Sequence, residues 1–190
     1  MSNIFIDDKD YKGIDFSLDG FTKGNYENCG FINCNFSGTD LSDLSFDECK
    51  FENCNFSNVK ISNTAFKNVK FKNCKLLGLN FDECNRFLLS FSFVSCQLNL
   101  SSFYKLPLKK TSFINCNIQE VDFTESDLTG STFDNCEMAG AIFENTILIK
   151  VDFRTSFNFS IDPEINKLQK AKFSTNGIAG LLGKYDILIE

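Results

Sequence analysis

The chain has 190 residues, 43% of them hydrophobic, a formal charge of −6 at pH 7, 23 Phe, 9 Cys, 2 Pro, no Trp and no His. That is ordinary globular composition at one domain's length, and without any imidazole it excludes His-based triads, His zinc ligands and imidazole acid–base chemistry. The opening residues lack a basic stretch followed by an apolar one, and the most apolar run, 87–94, is too short to span a bilayer. An odd cysteine count without a secretion signal argues for reduced thiols, so the chain reads as cytoplasmic, with no membrane partner.

Residues 1–10 read as an N-terminal cap. From Tyr11 every fifth residue is large and apolar, through Phe16, Phe21, Tyr26 and Phe31 to Leu76 and Phe81, fifteen slots without exception. The phase is lost across residues 82–87 and resumes two residues late as Leu88, Phe93, Leu98 and onward to Phe153, fourteen further slots. A period of five matches neither the 3.6 of a helix nor the 2 of a strand, so the chain must turn regularly. With four pentads to a turn, residues twenty apart stack, and residues 82–87 make one coil two residues longer. One column then holds Phe31, Phe51, Phe71, Phe93, Phe113, Phe133 and Phe153, and another Tyr26, Phe46, Phe66, Leu88, Leu108, Leu128 and Leu148.

Eight of the nine cysteines stand two residues before a large slot, six of them in one column from Cys34 to Cys136, with Cys84 in the bulge. A metal or redox array would need convergent ligands, and there is no CxxC, so these thiols read as small hydrophobes filling an inner corner. No cofactor and no metal are expected. Asp or Asn often precedes the large residue, as at Asp15, Asn35, Asp40, Asn55, Asn80, Asn117, Asp122, Asp127 and Asp152, where a short polar side chain closes a tight turn.

The pentads CNFSG (34–38), TDLSD (39–43), CNFSN (54–58), VDFTE (121–125), SDLTG (126–130) and VDFRT (151–155) resemble the pentapeptide-repeat family. The resemblance covers residues 11–157 and implies an all-β fold: a right-handed quadrilateral parallel β-helix, here about seven coils at ~4.8 Å each, or roughly 34 Å. Residues 158–190 form a connector, a helix and a tail. Ile178, Leu181, Leu182 and Tyr185 recur at helical spacing, so a short C-terminal α-helix entered from Ser174 or Thr175 is expected. This segment resembles that of the gyrase-interacting, quinolone-resistance branch of the family. The resemblance implies a homodimer joined end to end through Ile178, Leu181, Leu182 and Tyr185, which mimics duplex DNA toward DNA gyrase or topoisomerase IV. A helix that merely caps its own coil is the alternative.

Charge is banded along the chain. Residues 1–56 carry 11 acids and 4 bases, 57–119 carry 2 and 9, 120–152 carry 8 and 1, and 153–190 carry 4 and 5. In an end-to-end dimer the third band would flank the two-fold axis. Its acids, Glu120, Asp122, Glu125, Asp127, Asp134, Glu137, Glu144 and Asp152, are therefore the candidate partner-binding surface. The basic band departs from uniform mimicry, and part of it is expected to pair across coils, Lys67 with Asp47 and Lys72 with Glu52. An acidic chain without exposed aromatics in its basic stretch, Tyr104 aside, does not suggest direct nucleic-acid binding. No nucleophile–base pair or phosphate loop is visible, and a filled Phe core leaves no interior pocket, so no enzyme activity is expected. A non-enzymatic interaction rod remains, directed at a type II topoisomerase or, alternatively, at an unrelated protein.

Overall fold

A pentad with one large inward residue can bury that residue only if the backbone bends at each pentad boundary. The computed structural model, which describes residues 4–185, 187 and 188, shows how. Residues two places after the inner slot take left-handed backbone: Asn33, Asn53, Asn73, Asn115 and Asn135 have φ between 51° and 55°. Asparagine is among the few non-glycine residues that tolerate this region, which explains its abundance at the corners. The Asp or Asn before the slot works at a different point of the turn. The side chains of Asp15, Asn35, Asp40, Asn55, Asn117, Asp122, Asp127 and Asp152 each accept from the amide two residues on, at 2.8–3.2 Å. Asn80 makes no such bond; its amide donates to Glu83 at 3.4 Å.

The resulting element order is β1 (Ile4–Asp7), β2 (Asp10–Lys12), β3 (Gly24–Glu27), β4 (Gly30–Ile32), β5 (Ser45–Asp47), β6 (Lys50–Glu52), β7 (Ala65–Lys67), β8 (Val69–Lys72), β9 (Phe91–Val94), β10 (Ser112–Ile114) and β11 (Thr132–Asp134). Every pairing is parallel. Face one is the sheet β1-β3-β5-β7, and face two the sheet β2-β4-β6-β8-β9-β10-β11. Faces three and four, behind the Phe36 and Phe81 columns, are held by single bridges such as Asn35↔Asn55 and Ser102↔Asp122. The register is twenty residues, Phe31↔Phe51 and Phe51↔Phe71, except across the bulge, where Phe71 pairs with Phe93. The chain is a four-sided parallel β-helix.

Stacked rings fill it. Behind face two the run Tyr11, Phe31, Phe51, Phe71, Phe93, Phe113, Phe133, Phe153 and Phe173 is spaced 4.7–5.4 Å with interplanar angles of at most 13°. Neighbouring columns meet edge to face, as Phe113 does with Phe123 at 5.9 Å and 85°. From Tyr11 to Phe153 each ring of this run thus has both a stacked and a T-shaped partner. The ladder reaches beyond the clearest pentads at both ends: Ile6 pairs with Tyr26, and Lys167 and Lys172 bridge to Ile147 and Asp152.

Two expectations are corrected. Leu88 does not fill the column above Phe66: it stands 64% exposed with φ 56°. Residues 86–89 leave the wall after Asn85, which bridges Ala65, and Ser90 re-enters by donating to the Phe66 carbonyl at 3.0 Å. The vacated volume is taken by Phe91, at a corner where other coils place Cys49 or Val69; its ring lies 5.7 Å from Phe66 and 5.3 Å from Phe81. The C-terminal helix takes 3-10 rather than α geometry, over Asn176–Leu181 and then Gly183–Tyr185. It lies so close to the last coil that a Cβ at Gly180 would stand 2.4 Å from the Phe159 carbonyl oxygen. Two glycines permit that approach while weakening α-helix formation. Ser174 caps the Gly177 amide at 3.1 Å.

Candidate partner-binding surface

All nine cysteines are buried and free. Their thiols donate to wall carbonyls, as Cys74 does to Phe51 at 3.4 Å and to Lys72 at 3.3 Å. Burial raises the pKa of Cys49 to about 12 and also pushes up Cys34 and Cys84, the reverse of what a reactive thiolate needs, whereas hydrogen bonds from neighbouring thiols in the column lower Cys54 and Cys116. Among the described residues no group of His, Cys, Asp or Glu could hold a metal ion, and no helix is long and apolar enough to cross a membrane. Among the described residues no Asp, Glu, Lys or Arg is buried, so the charged side chains lie on the outer faces.

The eight acids of residues 120–152 are not gathered on one face. Asp122, Glu125 and Glu144 lie on face four or its edge, Glu120 at the corner leading onto it, Glu137 on face three, Asp134 and Asp152 on face two, and Asp127 on face one. Three of them are paired: Glu125 with Lys105 at 3.3 Å, Asp127 with Lys109 at 3.2 Å, and Asp152 with Arg154 at 2.8 Å and Lys172 at 3.6 Å. Arg154 in this way holds the Asp152 carboxyl below the usual range. At Asp127 burial opposes ionisation, but the Thr129 bonds and Lys109 outweigh it. Asp134 accepts from Thr155 at 2.8 Å and Glu137 from Asn158 at 2.8 Å.

Sorting charge by face instead of along the axis exposes a different feature. Face four and its corners carry Asp40, Asp43, Asp82, Glu83, Glu120, Asp122, Glu125 and Glu144, with Asp162 and Glu164 on the final turn, against Lys23, Lys60 and Lys105. Glu144 stands alone on the coil after Asp122; the other acids cluster on alternate coils, roughly 10 Å apart if each coil rises about 4.8 Å. Bonds from Ser42 hold Asp40 below the usual carboxylate range, Asn63 donates to Asp43 at 2.8 Å, and Ser62 donates to Glu83 at 2.5 Å. Asp40, Asp43, Asp82 and Glu83 were outside the predicted band. Reading position modulo twenty, rather than counting along the chain, would have found them. Of the expected cross-coil pairs, Lys72–Glu52 forms at 2.7 Å; Lys67 and Asp47 are register neighbours without an ion pair.

At the C-terminal end, Leu181 and Leu182 turn partly onto their own coil, whereas Ile178 and Tyr185 are 52% and 50% exposed. Lys184 latches the segment, bonding Asp162 at 2.8 Å and Glu164 at 2.6 Å, and the Tyr185 hydroxyl donates to Glu164 at 2.9 Å. Leu188 is 94% exposed. The 3-10 segment covers the coil edge while leaving an apolar outer surface.

The repeat, its corner chemistry and the four-sided wall agree with a comparison of sequence families: the model described as a pentapeptide repeat region matches residues 24–91 and 86–157. The chain belongs to the pentapeptide-repeat family. Among solved structures it is similar to a trypsin-treated variant of QnrB1, a plasmid-mediated fluoroquinolone resistance protein, at 22% identity and a TM-score of 0.52, covering 98% of this chain and 99% of that one. HetL, a pentapeptide-repeat protein involved in heterocyst differentiation regulation from the cyanobacterium Nostoc sp. strain PCC 7120, is matched at 12% identity and a TM-score of 0.43, over 92% of each chain. No curated protein matches. At such identities the likeness is one of fold.

Proposed function

We propose that this pentapeptide-repeat protein is a non-enzymatic interaction rod that binds a type II DNA topoisomerase, gyrase or topoisomerase IV, by presenting the acidic side of a rigid rod to a surface built for duplex DNA. The observation that carries the reading is the line of clustered carboxylates along face four. A partner shaped for phosphates would meet negative charge at fixed intervals on a wall that cannot rearrange. The likeness to QnrB1 supports the choice of partner only as an analogy of fold. A homodimer through Ile178, Leu181, Leu182 and Tyr185 would double the length of that face. The cationic side chains elsewhere on the rod restrict the mimicry to one side, so the protein engages its partner laterally.

The test is a gyrase supercoiling assay titrated with purified protein, with and without a fluoroquinolone. Inhibition, or relief of the drug's effect, at low micromolar protein is expected. No change in either setting across the titration would remove topoisomerase from the reading and leave an interaction rod for another protein.

A further inference from the structure

Face one changes character where its ladder breaks. Its sheet stops at β7, and among the described residues no backbone hydrogen bond joins residues 85–89 to residues 106–110. Two sequence features coincide there: the extra residues loop outward, and Pro107 on the next coil has no N–H to offer. The excursion projects Phe87, 70% exposed, and Leu88, 64% exposed, side by side from an otherwise flat wall. Lys67 lies on the coil before them, Arg86 beside them, and Lys109 and Lys110 on the coil after. Of these, only Lys109 has an ion pair among the described residues, with Asp127. Further along the same face Lys150, Lys167 and Lys170 add cations that likewise carry no ion pair among the described residues.

Against the sequence expectation of no membrane partner, which addressed spanning segments, we propose that this face rests on an anionic lipid bilayer, with Phe87 and Leu88 entering at headgroup level and Arg86, Lys67 and Lys110 set against anionic headgroups. Charge complementarity selects the surface, and the apolar pair selects its depth. Single-stranded nucleic acid would want successive aromatic platforms, and Phe87 has none beside it. The acids on the N-terminal coils of face one, Asp7, Asp8, Glu27, Asp47 and Glu48, begin one coil before Lys67, with Asp47 its register neighbour, and would be repelled, so the rod tilts with its N-terminal end away from the bilayer. The centre of the acidic face four, a quarter-turn away, points into solution. This inference is independent of the topoisomerase reading.

Sedimentation with vesicles of phosphatidylcholine containing phosphatidylglycerol, against vesicles of phosphatidylcholine alone, tests it. The parent protein should sediment with the anionic vesicles only, and less at high salt. F87S/L88S and, separately, K67E/R86E/K110E should each weaken binding by at least about tenfold. All of these side chains project from the wall, so both variants should keep the parent circular dichroism spectrum and elution volume. The proposal fails if the parent ignores anionic vesicles or if F87S/L88S binds as the parent does. It also fails if a single-stranded oligonucleotide binds more tightly than the vesicles in a Phe87-dependent way.

Discussion

At the scale of single residues, the ring column is where stability concentrates. Phe71 and Phe113 are fully enclosed, each stacked on rings above and below. Truncation cannot be relieved by collapse, because the cross-coil hydrogen bonds fix the spacing of the coils. Phe→Ala at either site should cost about 3–5 kcal/mol in chemical denaturation, and a loss below ~1 kcal/mol would show that the column does not sustain the fold. The inner columns could be read from sequence because a period of five has one physical cause, a face that repeats. Leu88, Leu89 and Phe91 could not be ordered in the same way. All three are apolar and close to the phase break, and only the volume at the corner beside Phe66 decides that Phe91 turns in. The left-handed corner asparagines were likewise overlooked, since sequence drew attention to the Asx turns three residues earlier.

At the scale of elements, the C-terminal segment joins a helix-like pattern to an unexpected geometry. Ile178, Leu181, Leu182 and Tyr185 announce an element with one apolar side. Gly177 and Gly180 dictate that it be a tight 3-10 turn pressed on Phe159. Its latch is electrostatic. Lys184 holds both Asp162 and Glu164 below their usual range, and the two carboxylates in turn raise Lys184, outweighing the partial burial that opposes its charge. A carboxyl depressed in the folded state contributes stability above its unfolded pKa, about 4, and loses that contribution as pH falls through the lower folded value. The latch should therefore be intact at neutral pH, begin to weaken near about pH 4, and open only as pH falls further, through the depressed folded values. Hydrogen exchange at the Ile161 amide, which donates to Gly180 at 2.9 Å, should speed up on acidification before the Phe71 region does. Simultaneous exchange of both would mean the segment does not open by itself. Ile178, exposed on the outer side, gives the complementary test of assembly. I178E should convert the proposed homodimer to monomers in light scattering without loss of stability, and a parent already monomeric or an unchanged mass would leave the segment as a cap.

At the scale of the whole molecule, charge along the chain and charge around the rod are different quantities. Counting along the sequence sums all four faces of each coil before rising one step, so its bands record height along the rod and nothing about side. The axial sum is correct, yet it merges carboxylates that point in opposite directions: Glu144 on face four and Asp134 on face two lie close along the axis but on opposite sides of the ring core. The two descriptions predict different behaviour. If a partner reads the band, E125K/E144K and D134K/E137K should weaken binding equally, since both reverse the same amount of charge at nearly the same height. If it reads the face, only E125K/E144K should raise the concentration needed in the supercoiling assay, by at least about tenfold, and D134K/E137K should leave it nearly unchanged. Salt sharpens the contrast, because exposed charges on the far side of the rod lie more than a Debye length from the contact and are screened. Face-selective loss is the expected result. Equal loss would mean that the protein's overall field, rather than its acidic wall, attracts the partner.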